Sequence, residues 1–169
     1  MTITDIPSPI DLRLMSDAQE WEKTAMERPF RQEFIAAFAR QLQQQPSADL
    51  AILELGSGPG FLALELLSQL PAARMTLLDF SPAMHLLARQ RLAAFADRIT
   101  FVERDFKQPD WTQNLGSFDV IVTLQAVHEL RHKHYATGFH RQVKTLLKDQ
   151  GLYLFCDHHS GAGGMQNDQ

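Results

Sequence analysis

The chain has 169 residues, 44% of them hydrophobic, and 16 Lys and Arg against 20 Asp and Glu give a formal net charge of −4. That length supports one sizeable core, and the acidic balance without a run of like charges opposes a broad nucleic-acid footprint and favours small or neutral substrates. Apolar stretches too short for a bilayer, the lack of a basic and apolar leader, and the lone Cys156 exclude a membrane partner, a disulfide and a multi-cysteine metal cage, and predict a cytoplasmic protein.

Residues 1–15 carry Pro7 and Pro9 with little periodicity and read as an extended arm. Ser16 suits the N-cap of a helix through about Glu27 that bears Trp21 and Met26. Pro29 separates it from a second helix, where Phe30, Phe34, Ile35, Phe38 and Leu42 form an apolar stripe ending at Gln45-Pro46. Most of that stripe is expected in the core.

The apolar run Leu50 to Leu55 then meets Gly56, Gly58 and Gly60, and Leu62, Leu66, Leu67 and Leu70 follow at helical spacing. This reads as strand, tight turn, helix. Glycines let backbone turn sharply and approach a ligand closely, and the unpaired N–H groups at a helix start suit a polar or anionic group. A dinucleotide fingerprint would need its third glycine at position 61, where Phe61 stands, so a nicotinamide cofactor is disfavoured. The pattern Glu54-x-Gly56-x-Gly58-x-Gly60 instead resembles motif I of the class I S-adenosylmethionine-dependent methyltransferases. The resemblance implies that Gly56, Ser57, Gly58 and Gly60 carry the methionine end of S-adenosylmethionine. It also places Glu54 under the loop, bonding its backbone or the ligand's amino group. N-terminal helices in that family lie over the cofactor, which makes Trp21 and Met26 candidate pocket residues, with ordinary packing as the alternative.

Met75-Thr-Leu-Leu is a second strand ending in Asp79, with Phe80 beside it. A carboxylate there can accept from two ribose hydroxyls and would repel a 2′-phosphate. Its alternative role, capping the next helix, is already filled by Ser81-Pro82, which leaves Asp79 free; Phe80 is placed to pack on the adenine edge. Pro82 to Phe95 reads as a helix with Met84, Leu87, Leu92 and Phe95 inward, and Ile99 to Glu103 as a third strand. Asp105, just past it, resembles the family's adenine-contacting aspartate, with the Phe106 N–H reaching the ring; capping a turn is the plainer alternative.

Phe118 to Leu124 has the near-continuous apolar pattern of a fourth strand covered on both faces. By resemblance to motif IV, Leu124 and Gln125 lie beside the reactive end of the cofactor, and Val127 and His128 on the rim. His128 is a candidate base for an oxygen or nitrogen acceptor, weighed against a rim histidine that only orders its loop. His128-Glu-Leu-Arg-His132 also satisfies H-E-x-x-H, but it follows a strand, and no downstream glutamate or histidine completes a zinc-peptidase set. No metal site is therefore expected. Tyr135 to Lys148 reads as a helix, Lys148-Asp-Gln-Gly as its turn, and Gly151 to Asp157 as a fifth strand with Cys156 as a small buried hydrophobe.

These readings predict a doubly wound α/β fold with a mainly parallel sheet of order 3-2-1-4-5. Residues 1–46 form the arm and lid helices, 47–158 the cofactor-binding core and 159–169 a flexible glycine-rich tail. The implied activity is methyl transfer from S-adenosylmethionine to a small-molecule acceptor, with a non-catalytic cofactor-binding module as the other reading. Family members usually continue past the fifth strand. A shortened form is therefore expected, with a second copy of the chain a candidate to cover that sheet edge.

Overall fold

Short apolar runs separated by helical segments leave few ways to bury both faces of a sheet, and parallel strands with helical crossovers are the economical one. The structure, a computed structural model, describes residues 10–126, 130 and 133–157. Its helices are α1 Met15–Ala25, α2 Arg31–Gln43, α3 Phe61–Gln69, α4 Pro82–Arg91 and α5 Lys133–Thr145, with a 3₁₀ segment at Ala93–Arg98. The strands are β1 Ala51–Leu55, β2 Arg74–Asp79, β3 Ile99–Glu103, β4 Phe118–Leu124 and β5 Leu147–Cys156. They form one sheet in the order β3-β2-β1-β4-β5, every pairing parallel, so the expected doubly wound α/β topology is present.

Alternation along the strands sorts the core into two layers. Ile52, Met75, Leu77, Val120 and Val122 pack on Ile35, Phe38 and Leu42 of α2 and on Leu62, Leu66 and Leu67 of α3. Leu53, Leu55, Leu78 and Ile121 face the other way, toward Phe139 and Val143 of α5 and toward Trp111. Each such side chain contributes about 1.5–3 kcal/mol by leaving water. A smaller cluster docks α1 on α4 through Ala18, Ala83, Met84 and Leu87, with Leu12 and Trp21 at its margin. Because strand order reverses between β1 and β4, the carboxyl ends of β2, β1 and β4 open a crevice where their following loops part.

Several local expectations are corrected. Helix α1 begins at Met15, with Leu14 as its uncapped N-cap. Ser16 thus lies inside the first turn, while Asp17 Oδ2 accepts from the Asp11 N–H at 3.0 Å and ties the arm down. Phe30 is the left-handed N-cap of α2, outside the helical repeat and 67% exposed, and Arg31 is buried in its stead. The last crossover helix ends at Thr145 rather than Lys148, because Leu146 O accepts from Phe118 N at 2.8 Å and Leu147 already pairs with Phe118. The expected turn becomes an irregular start of β5, with Gln150 at φ 66°. Trp111, unassigned from sequence, is fully buried, stacked 5.5 Å from Phe139 and donating from Nε1 to Gln142 Oε1 at 2.9 Å.

The end of α3 has no glycine cap. Arg98 supplies one: its guanidinium donates to Leu67 O at 2.8 Å, Leu70 O at 3.0 Å, Pro71 O at 2.7 Å and Ala73 O at 3.2 Å. A cation at a helix C-terminus satisfies orphan carbonyls and opposes the dipole. Arg98→Ala should therefore lower unfolding free energy by about 1–2 kcal/mol, the scale of charge-assisted bonds lost from partly buried carbonyls. Urea denaturation showing a loss within experimental scatter would rule out this role.

Candidate active site

The loop after β1 is pinned to the end of β2. Gly56 N and Ser57 N donate to Leu78 O at 2.8 and 3.1 Å, and Gly58 N donates to Asp79 Oδ2 at 2.8 Å. Gly56 has φ +69°, and a Cβ there would fall 2.4 Å from the Ala126 Cβ, so position 56 admits only glycine. Asp79 also accepts from Ser81 N at 3.0 Å through Oδ1. It is therefore engaged, not free, although Ser81 Oγ does cap α4 by accepting from Met84 N at 3.0 Å. Each carboxylate oxygen has further acceptor capacity beyond one backbone bond.

A second set of contacts fixes the loop from above. Arg91 Nη1 donates to Pro59 O at 2.7 Å and pairs with Glu22 Oε1 at 2.8 Å, and its guanidinium lies 4.0 Å from the Phe61 ring centroid. Ser81 Oγ donates to Leu12 O, joining the N-terminal segment to the start of α4. The result is a cleft of about 390 Å³ between that segment, the α1–α2 corner and the strand ends. This volume falls within the roughly 300–1,000 Å³ of small-molecule sites.

Of the residues singled out from sequence, Gly56, Ser57, Gly58, Asp79, Phe80, Asp105, Phe106, Leu124 and Gln125 all line this cleft. Phe80 is 38% exposed, an unpacked aromatic beside the buried Asp79. Asp105 caps its own turn, Oδ1 accepting from Lys107 N at 2.8 Å, while the Phe106 ring packs 5.1 Å from Phe139. Gly60 does not reach the cleft wall. It starts α3 at φ +91°, and a Cβ there would meet Leu92 Cδ1 at 2.9 Å, so its glycine serves helix–helix packing. Glu54 lies beneath the loop, 3% exposed and likewise off the wall. Trp21 lines the cleft, 3.8 Å from a Cβ placed on Gly58, whereas Met26 packs against the α2–α3 core. His128, with Val127, Glu129 and His132, lies outside the described residues.

Arg31, Arg28 and Ala126 also line the cleft and were not found from sequence. Arg31 is only 7% exposed and donates from Nη1 to Gln125 Oε1 at 2.7 Å, while its Nε has no partner. Gln125 holds a left-handed backbone at φ 54°, anchored by its N–H to Cys156 O at 2.7 Å. A non-glycine residue in that region stores strain that its surroundings must sustain. Burial pushes the Glu54 carboxyl well above the usual carboxylate range, with Arg31 pulling it down and Asp79 pushing it up. Burial likewise raises Asp79, against the pull of the Gly58 and Ser81 N–H groups. No signal local to position 31 could have revealed this arginine, which sits where a helix N-terminus usually meets solvent.

Residues 52–151 match the protein family described as a methyltransferase domain. The solved DhpI–SAM–HEP complex has a TM-score of 0.67 at 22% identity, covering 87% of this chain and 63% of that one. The N-methyltransferase NodS from Bradyrhizobium japonicum, in complex with S-adenosyl-L-homocysteine, has a TM-score of 0.60 at 22% identity, covering 72% of this chain and 58% of that one. At these identities the likeness is one of fold. A highly reducing polyketide synthase from Cordyceps militaris is 28% identical over 131 residues, 73% of this chain and 5% of that protein. The chain thus spans less than two thirds of each of these relatives.

A carboxyl held above its ordinary value in the folded chain binds protons more tightly there than in the unfolded chain. Stability is then highest below that ordinary value, 4.5 for Glu54, and falls as pH rises toward the folded value. The melting temperature of ligand-free protein should accordingly drop as pH rises above about 5, and Glu54→Gln should make the drop shallower by removing one of its two sources. Superimposable profiles for the two proteins would exclude a raised Glu54.

Proposed function

Since the chain belongs to the methyltransferase-domain family over residues 52–151, we propose that it binds S-adenosylmethionine in this cleft and transfers the methyl group to a small-molecule acceptor. The observation that carries the reading is the buried Asp79, at the carboxyl end of β2 and bonded directly to the glycine loop. One carboxylate thereby stands next to both halves of an adenosyl amino acid. Solved complexes of similar fold with SAM or S-adenosyl-L-homocysteine support the choice of cofactor.

The residues present fit that group. Ser57 Oγ and Arg31 Nε are buried polar atoms without partners, and both residues belong to the cleft wall. Buried polar atoms of this kind call for an explanation, and a polar ligand supplies one. In this reading Asp79 accepts from the ribose hydroxyls and Phe80 packs on the adenine edge. Asp105 accepts from the exocyclic amine while the Phe106 N–H reaches the ring. Gly56, Ser57 and Gly58 seat the amino-acid end over Glu54, and Leu124 and Gln125 border the reactive end.

When bound, the sulfonium makes its methyl electrophilic, and the chain's residues have only to bind, align the acceptor and exclude water. Trp21, packed over Gly58 and flanked by arginine side chains 4.8 and 5.2 Å from its ring centroid, closes one side of the cleft for that purpose. His128 stays a candidate base on sequence grounds.

Asp79→Asn should weaken binding of S-adenosylhomocysteine about 10- to 100-fold, the worth of a lost charge-assisted bond pair, with melting behaviour measured alongside to separate binding from stability. Calorimetry giving the same affinity for folded wild type and variant would overturn the assignment. A methyl-release assay across candidate acceptors distinguishes an enzyme from a module that binds without turnover.

A further inference from the structure

The chain carries a formal net charge of −4, yet its cleft wall gathers more cations than carboxylates. Most of those charges are already engaged. Arg13 Nε pairs with Asp11 Oδ1 at 2.8 Å, Arg104 Nη1 donates to Trp111 O at 2.9 Å, and Arg31 Nη1 donates to Gln125 Oε1 at 2.7 Å. Asp79 accepts from the Gly58 and Ser81 N–H groups, and Asp105 from Lys107 N. Arg28 differs: it is half-buried, and its side chain has no hydrogen bond or ion pair among the described residues. Trp21 carries it instead, with the guanidinium carbon 4.8 Å from the ring centroid. Its backbone is fixed at the α1–α2 corner, where Arg28 N donates to Ala25 O at 3.4 Å and Arg28 O accepts from Arg31 N at 3.3 Å. A guanidinium supported on a ring face keeps its N–H donors uncommitted, in a fork that matches a carboxylate or phosphonate.

Its position says what the fork faces. Arg28 and Arg31 lie against the same Trp21 ring, and Arg31 is tied to Gln125 just past β4. Arg28 therefore stands at the β4 end of the cleft, away from Asp105 beyond β3. In the proposed reading Leu124 and Gln125 border the reacting methyl at that end, so the acceptor has to enter there. The bound cofactor adds a sulfonium charge to the two guanidiniums. Like charges in a partly desolvated space repel one another, and an anionic group on the acceptor relieves them.

We infer that the methyl acceptor is a small molecule bearing an oxyanion, carboxylate or phosphonate, and that this group docks on Arg28 beside Trp21. The inference rests on the proposed methyl transfer and names its substrate class. The overall acidity that opposes a large polyanion does not oppose a small one, because a local cationic wall draws the anion to the cleft. Arg28 is a specificity-determining residue for the acceptor, and the cofactor does not depend on it.

The test uses calorimetry on the whole chain saturated with S-adenosylhomocysteine, with phenylphosphonate as the anionic probe and benzenesulfonamide as a neutral one of similar shape. Wild type should bind phenylphosphonate at least about tenfold more tightly, as expected for a charge-assisted contact. Arg28→Gln should remove most of that preference while affinity for S-adenosylhomocysteine stays within about threefold. Arg28→Lys, which keeps the charge and loses the fork, should fall between the two. Equal affinity of wild type for the two probes, no binding of phenylphosphonate at about 10 mM, or a preference that persists in folded Arg28→Gln overturns the inference and leaves the cofactor assignment standing. A matching loss of S-adenosylhomocysteine affinity in Arg28→Gln also overturns it, by placing Arg28 on the cofactor. Failure of wild type to bind S-adenosylhomocysteine overturns both readings. Should Arg28→Gln not fold, wild type against Arg28→Lys decides, an unchanged preference counting against the role.

Discussion

The carboxylate of Asp79 bonds two backbone N–H groups that belong to different turns, Gly58 in the loop after β1 and Ser81 at the start of α4. Those turns could otherwise move independently, since each follows a different strand. With Leu78 O taking Gly56 N and Ser57 N, the end of β2 becomes the frame on which the loop is built. Everything the cleft does depends on this frame, because glycines without it would be mobile and would present no fixed array of N–H groups. The arrangement also explains why burial of an acidic residue is tolerated here: hydrogen bonds from backbone offset part of the desolvation that raises its proton affinity.

Around that frame the chain gathers charges it would be more stable without. Glu54, Asp79 and Arg31 are all at least nine-tenths buried, and Glu54 and Arg31 each leave an atom without a partner. In a core built only for stability, apolar residues of similar volume would serve at least as well. Strain points the same way, with Gln125 held in a left-handed conformation next to the same charges. Local conflicts thus converge on one cleft, while the sheet and helices are otherwise consistent.

The periphery is organised to hold the cleft's walls. Arg91 joins α4 to α1 and to the loop carbonyl of Pro59, and Ser81 joins α4 to the segment before α1. The two N-terminal helices therefore divide their work: α2 belongs to the core through Ile35, Phe38 and Leu42, while α1 rests on α4 and presents Trp21. Opening α1 would cost mainly the small Ala18–Met84–Leu87 cluster. On the far side, no strand among the described residues pairs with the outer edge of β5. That strand is only partly buried along its apolar half.

Strands β1 to β4, the glycine loop, Asp79 and the Ser81-Pro82 cap were legible in the amino-acid sequence, because each is specified by residues within a few positions of one another. Short, near-continuous apolar runs, glycines that a positive φ requires, and an N-cap before proline act locally. The start of β5, the exposure of Phe30 and the burial of Trp111 were not legible, since strand capture by Phe118 and stacking on Phe139 come from elsewhere in the chain. The same holds for the cleft's charge. Arg31 and Gln125 lie 94 positions apart and meet only after α2 packs against the sheet. Sequence alone determined that an acidic residue ends β2 beside a glycine loop. Only the tertiary structure decided which cation is buried in the same cleft, because burial and charge pairing are properties of neighbours in space.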